Sequence, residues 1–291
     1  MRFEFIENHR SEFSVTKMCK VLEVSPSGYF KWRNHEPSQQ EMRRNKVKDR
    51  IVFHYHDSDK IYGSPKITKL LQDEDYTINE RTVSKYMQEL GLRSCVSKIF
   101  KVTTTNSNHD YPIASNKLNQ NFTASAPNKV WVADITYIPC REGRLYLASI
   151  LDLFTREIVG WRLYGHMETQ LVMDALKDAY ESKKPAEGLL HHSDRGTQYA
   201  SKDYRDQLLE YRMEASMSRT GNCYDNACAE AFFSLLKKEL IQSRKFQTKE
   251  QAYTEIYRYI EFFYNRKRIH GSIGYLSPVG YAQKYYKEIS A

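Results

Sequence analysis

From Val130 onward the chain reads as three β-rich runs joined by short connections, VWVADITYIP, RLYLASILDLF and EIVGWRLYGH. Helices and short strands then alternate: TQLVMDALKDAYESK is amphipathic, GLLHHSD is a short apolar run and SKDYRDQLLEYR a second helix. MEASMS is a last strand, and NACAEAFFSLLKKELI a long helix. The order β-β-β-α-β-α-β-α begins as an antiparallel meander and returns to the sheet through helices. It predicts an α/β fold, a mixed sheet flanked by helices.

That order is the one found in ribonuclease-H-like cores, where the first strand and the end of the fourth lie side by side. Asp134 in the first run and Asp194 at the end of GLLHHSD are then neighbours. Thirty-five residues separate Asp194 from Glu230 on the long helix. Three carboxylates on a strand, a strand end and a helix can converge on divalent cations at one sheet edge. Mg²⁺ prefers oxygen ligands and keeps several waters. Two such ions suit in-line displacement at phosphorus. Asp134, Asp194 and Glu230 are therefore the expected catalytic and metal-ligating residues, for two Mg²⁺ ions with Mn²⁺ as the alternative. Taken singly, each acid has a structural reading, as a strand-end turn residue or an exposed helix acid. Their joint placement in a matching element order is what points to chemistry.

Helical spacing puts Asn226, Ser234 and Lys237 on the Glu230 face, where Lys237 can meet a phosphate. Arg195, Gly196 and Gln198, just after Asp194, can approach a DNA backbone. His191 and His192 read as core residues, since imidazole suits softer metals. The glycine-containing segment SRTGNCYDNACAE reads as a loop, with Cys223 and Cys228 inert.

The first hundred residues look helical. Ser14 can cap VTKMCKVLEV, and Ser25 or Ser27 the SPSGYFKWR helix, which suggests a helix-turn-helix over residues 1–38. A long basic helix, roughly residues 40–56, then YGSPKITKLLQDE and INERTVSKYMQELGL make a second helical DNA-binding domain over 39–99. Asn79 caps its last helix and Gly91 ends it. Val83, Tyr86, Met87 and Leu90 form an inward stripe, while Arg81, Ser84, Lys85 and Gln88 make a polar face suited to a DNA groove. Residues 100–128, rich in Thr, Asn and Ser, read as a linker before a catalytic core at 129–242. A basic and aromatic helical extension follows at 243–291, where Arg266, Arg268 and His270 can touch phosphates or bases.

Charge supports a polyanion partner. The net charge is +8, with 19 Lys and Arg against 15 Asp and Glu in residues 1–110, 14 against 16 in 111–236, and 9 against 4 in 237–269. Two basic flanks enclose a slightly acidic centre. No run reaches the roughly 18 apolar residues of a membrane span. The N-terminus lacks the apolar core of a signal peptide, and the five cysteines include no CxxC pair. A reduced cytosolic setting, away from membranes, is expected.

Together WVADITYI, the SDRGTQY block, the thirty-five-residue gap, DNACAEAFFSLLKKEL and YNRKRIHGSIGYLSP resemble the catalytic OrfB part of IS-three family insertion-sequence transposases. SVTKMCKVLEVSPSGYFKW and YGSPKI resemble that family's N-terminal region, so the likeness runs essentially end to end. The resemblance implies an integrase-like core with Asp134, Asp194 and Glu230 as the triad and Lys237 as the accompanying basic residue. It implies a transposase that nicks element ends and joins the 3′-hydroxyl to DNA by a copy-out-paste-in route with a circular intermediate. Implied partners are element terminal repeats, target DNA, further copies of the chain, and an upstream OrfA-type segment, often joined by frameshift fusion. The leucine-zipper heptads of that segment and the retroviral HHCC pattern are missing here, and HGSI departs from the more usual H-S-A-L. A DNA-binding regulator or inactive domesticated remnant, and a general ribonuclease-H or junction-resolving nuclease, are the alternatives.

Overall fold

The structure is a computed structural model describing residues 1–95, 111–220, 222–242 and 244–290. Two compact units divide the chain, Met1–Phe53 and His54–Ala291.

In the first unit, helices α1 (Arg2–Asn8), α2 (Val15–Val21) and α3 (Pro26–Arg33) enclose a small core of Ile6, Met18, Cys19 and Tyr29. Ser25 caps α3, its hydroxyl accepting from the Gly28 amide at 3.0 Å. Ser14, expected to cap α2, makes no side-chain cap hydrogen bond. Helix α1 is an addition to the sequence reading; it is short and buries only Ile6.

Helix α4 (Gln39–Asp57) crosses the division. Within the second unit, α5 (Ser64–Asp73) and α6 (Glu80–Glu89) bury Ile67, Leu71, Val83 and Met87. The Asn79 side chain accepts from the Thr82 amide at 2.9 Å, and Gly91 leaves α6 at φ +68°. Arg81, Lys85 and Gln88 are exposed, and Ser84 is half-buried.

Strands β1 (Val130–Cys140), β2 (Gly143–Asp152), β3 (Ile158–Tyr164), β4 (Leu190–Ser193) and β5 (Glu214–Met217) form one sheet in the order β3-β2-β1-β4-β5. The first three are antiparallel, whereas β1–β4 and β4–β5 are parallel. Helices α7 (Thr169–Lys183), α8 (Thr197–Ala200) and α9 (Lys202–Glu210) cover one face, packing Trp131, Ala133, Ile150, Leu171, Leu176 and Tyr204. Gly160 lets α7 approach β3: a Cβ there would stand 2.4 Å from the Ala175 carbonyl oxygen. On the other face Val132, Ile138 and Leu147 meet Phe232, Phe233 and Leu236 of α10 (Ala227–Leu236). This is the ribonuclease-H-like topology.

Two expected boundaries shift. Residues 100–110 of the expected linker include none that the structure describes. Residues 111–128 belong to the core: Leu118 is buried in it, and the Lys117 amide donates to Ser216 Oγ at 2.9 Å. Their Asn, Thr and Ser content marks a lack of regular structure, and here side chains satisfy the backbone in place of a ladder. The C-terminal segment is equally integral. Phe246 and α11 (Lys249–Tyr257), with its π-helical continuation Arg258–Tyr264, give Ile256, Tyr259, Ile260 and Tyr264 to the same core. A final helix, α12 (Pro278–Ile289), closes the chain. Among the described residues no helix is long and apolar enough to cross a membrane.

Candidate active site

The parallel pairing of β1 with β4 runs from Val130↔Leu190 to Ala133↔Ser193. Asp134 and Asp194 occupy the next position on each chain, where neighbouring strands are about 4.8 Å apart. Strand β4 ends at Ser193, so beyond Ala133 β1 pairs with a strand only on its β2 side. Asp134 thus sits where β1 loses its second strand neighbour, at the edge of the parallel half of the sheet. Asp134 Oδ1 accepts from the Ile135 amide at 2.8 Å, and Asp194 Oδ1 from the Gly196 amide at 2.9 Å. A Cβ at Gly196 would lie 3.0 Å from Asp194 Oδ1, so glycine fits this turn closely.

The third acid arrives on α10. Asn226, at the start of that helix, donates from Nδ2 to the Ala133 carbonyl at 3.0 Å, pinning the helix to β1 beside Asp134. Glu230 follows one turn later and is exposed. Beyond Leu236 the helix widens into a π turn, Lys237–Ile241, with the Gln242 amide donating to the Lys237 carbonyl at 2.9 Å.

A buried knot fixes the loop before α10. The Asp225 carboxylate is fully buried and accepts from Arg219 Nε and Nη2, the Arg219 amide, Asn116 Nδ2 and Gln120 Nε2 at 2.8–3.0 Å. These donors, Arg219 first, hold it well below the usual carboxylate range. Sequence reasoning missed Asp225, Asn116 and Gln120. The available signal was an acid directly before Asn226 with an arginine six residues upstream.

The electrostatics separate this site from an ordinary surface. Burial, then Asp194 and Glu230, push the Asp134 carboxyl well above its usual range, against the opposing Ile135 amide and Lys237. Glu230 is raised by burial and by Asp194. Lys237 is lowered by burial, with Asp134 opposing. Asp134 thus senses Asp194, Glu230 and Lys237, and Glu230 senses Asp194. Among the described residues no three acidic, imidazole or thiol side chains are gathered closely enough to hold an ion as they stand. Mutual repulsion opposes such gathering, and a cation relieves it. The all-carboxylate donor set fits a hard, oxygen-seeking ion.

The remaining expected residues divide by exposure. Arg195 turns towards the loop after β5, with Nε donating to the Ser218 carbonyl at 2.5 Å and Nη1 to Thr220 Oγ1 at 2.6 Å. Gln198 is buried, donating to the Met167 carbonyl at 2.8 Å. Gln198 and Asn226 bind the protein's own backbone, not a surface ligand. Arg268 and His270, expected at a DNA surface, are buried. Arg268 forks onto Glu239 at 2.7–3.1 Å, and burial pushes the His270 imidazole down to about 2. An alternation of aromatic and basic residues hid this interior ion pair. Arg266 is exposed, and Lys267 is held by Asp57 at 2.6 Å. His191 and His192 are core residues as expected, bonded to Tyr204 and to Ser216 and Ser218, and held near 3 and 4 by burial.

Known families fit this architecture. Two models described as "Integrase core domain" match residues 124–223 and 230–285, and one described as "HTH-like domain" matches 42–99. A 31 kDa protein of insertion element IS600 from Shigella sonnei is 41% identical over 270 residues, 93% of this chain and 99% of that protein. Transposase InsF of insertion sequence IS3A from Escherichia coli K12 is 39% identical over 286 residues, 98% of this chain and 99% of InsF. The chain belongs to the IS3 family of insertion-sequence transposases. Among solved structures, the magnesium complex of the HTLV-2 integrase catalytic core overlaps it with TM-score 0.41 and 14% identity, covering 54% of this chain and 98% of that one.

Proposed function

We propose that the protein nicks the ends of an insertion sequence and joins the freed 3′-hydroxyl to DNA, with Asp134, Asp194 and Glu230 as the catalytic, metal-holding carboxylates. The observation carrying this reading is the placement of Asp134 and Asp194 one step past a parallel strand pair, with Glu230 electrically coupled to both. Two Mg²⁺ ions, or Mn²⁺, supply when bound a Lewis-acid clamp on the attacking and leaving oxygens. The protein's part is to orient. Asp134 and Asp194 are fixed by the Ile135 and Gly196 amides, and Glu230 by the Asn226 clamp and the Asp225 knot. Lys237 places a positive charge beside Asp134, where it can hold a phosphate of the strand being cut.

The exposed Arg81, Lys85 and Gln88 of α6, with Ser84, read the terminal repeat in a DNA groove, and Arg266 and Arg195 contact backbone phosphates. Copy-out-paste-in transposition through a circular intermediate, in the cytosol, with further copies of the chain and an upstream DNA-binding segment, completes the reading. Incubating the protein with labelled element-end DNA, Mg²⁺ and unrelated target DNA tests it. Nicking followed by insertion of the labelled 3′-end is expected. A shifted band without a nick makes the protein a binder only, and nicking without insertion makes it a nuclease.

A further inference from the structure

Three consecutive residues of the C-terminal segment, Lys267, Arg268 and Ile269, tie two parts of the molecule together. Arg268 forks onto Glu239, on the helical rod that carries Glu230. Its two neighbours bond to the HTH-like domain. Lys267 Nζ donates to the Asp57 backbone carbonyl and to the Asp57 carboxylate, each at 2.6 Å. The Tyr62 hydroxyl donates to the Lys267 carbonyl at 3.2 Å and accepts from the Ile269 amide at 3.0 Å. Tyr62 is buried, and burial pushes its hydroxyl up to about 12, so the proton it donates stays in place.

The same stretch of the HTH-like domain is tied to the end of α6. The Tyr55 hydroxyl donates to the Arg93 carbonyl at 2.8 Å, Ser94 Oγ to the Ile61 carbonyl at 2.6 Å, and the Cys95 amide to the Lys60 carbonyl at 3.1 Å. The Leu92 amide returns to the Met87 carbonyl of α6 at 2.8 Å. Between these ties the chain turns at Asp59 and Lys60, both left-handed at φ 51° and 65°. Two such residues in succession cost energy, and their surroundings have to hold them there. Domains of one chain move against each other unless the interface between them prevents it. Sliding here would strip the buried Tyr62 hydroxyl and the buried Ile269 amide of their partners. A continuous set of directed bonds therefore runs from α6 through residues 92–95, 55–62 and 267–269 to Glu239, and so to the helix of Glu230.

We propose that Tyr62 and Asp57 are positioning residues that clamp the HTH-like domain to Lys267 and Ile269, so that α6 and Glu230 keep one spacing and the nick falls at a set distance from the sequence α6 reads. One base pair spans about 3.4 Å of duplex, so play of a few ångströms in this seam moves the cut. The proposal rests on the repeat-reading and cleavage roles above, and its first test needs neither DNA nor metal. Spin labels replace the exposed side chains Gln88 of α6 and Leu209 of α9 in the full chain, and pulsed electron resonance reads their separation. A single narrow distance is expected with the native seam, and a broadened one in Tyr62→Phe/Asp57→Ala. A broad distribution with the native seam, or an unchanged narrow one in the double variant, overturns the clamp. The second test reads where the cut falls. Wild-type protein is given Mg²⁺ and element-end DNA with a single base pair inserted between the end and the repeat sequence that a footprint shows bound. The nick is expected to keep its distance from that sequence, and so to move by one nucleotide relative to the element end. A nick that stays at the element end overturns the proposal. In the double variant, about half or more of the cuts should leave the wild-type position, while gel shifts on repeat DNA match wild type. Cuts confined to the wild-type position overturn it as well. Absence of nicking by wild type on unaltered DNA removes the cleavage reading, and the label distances then still decide the clamp.

Discussion

Glu230 and Glu239 stand nine residues apart on one helical rod, in opposite electrical surroundings. Glu239 is buried and saturated: Arg268 grips both its oxygens at 2.7–3.1 Å and the Tyr259 hydroxyl donates at 2.7 Å. Glu230 is exposed, and its strongest charged neighbour is another acid, Asp194. Asp225, in the turn before α10, follows the Glu239 pattern with five donors. Where this protein uses a carboxylate for architecture, it supplies the counter-charge from its own chain. Asp134, Asp194 and Glu230 instead raise one another's carboxyls, an arrangement that suits the cations proposed above.

The sharpest way to break this comparison is at the open cluster. Asp194→Asn should lower strand cleavage by at least about a thousandfold, roughly 4 kcal/mol of barrier, while gel shifts on element-end DNA stay as in wild type. Cleavage near the wild-type rate would remove Asp194 from the site. Next comes the closed cluster. Arg268→Met leaves Glu239 buried without its counter-charge, and should destabilise the fold by about 3–5 kcal/mol in urea titration. Glu230→Gln should leave metal-free stability unchanged or slightly raised. Equal losses from both would erase the distinction.

A smaller effect concerns cations. Adding Mg²⁺ should raise the stability of wild type by about 1–3 kcal/mol at saturating concentration, because it relieves repulsion among Asp134, Asp194 and Glu230. Asp134→Asn should lose most of that gain in a thermal melt. An identical shift in both proteins would mean the ion binds elsewhere.

A further test concerns the closed side. Lys66 lies over the Tyr62 ring at 4.7 Å, and burial, with Arg268 adding, pushes its ammonium from 10.5 down to about 7. Between about 7 and 10.5 the unfolded chain binds more protons than the folded one, so stability contributed at this site rises with pH across that window. Below about 7 the penalty of a buried charge is fully present. Lys66→Met should flatten the rise seen by chemical denaturation at pH 7 and pH 10, and an unchanged slope would place the titration at another group.

The sheet and its acids were legible because period-two strands and amphipathic helices follow a restrictive order, and a parallel strand pair brings Asp134 beside Asp194 with no further information. Asn79 and Ser25 were legible as caps, since a side-chain oxygen in an extended residue before a helix has one nearby donor to meet. The strap at residues 111–128 was not. A polar stretch without periodicity looks the same whether it crosses solvent or threads side-chain donors into Asp225, and only its distant partners decide. Arg268 and His270 were misplaced for a related reason. Their burial depends on Glu239, which sits 29 residues before Arg268 and carries no local sign of pointing inward.

The helix bearing Glu230 is tied down at each end, by Asn226 to β1 and by Glu239 to Arg268 through the widened turn after Leu236. A beam clamped twice transmits disturbance from either support. Inserting or deleting one residue between Lys237 and Glu239 would rotate the far anchor by about 100° and twist the acid at the other end out of alignment. Length in this stretch is therefore as constrained as chemistry, and substitutions at Arg268 should be felt by a side chain they never touch.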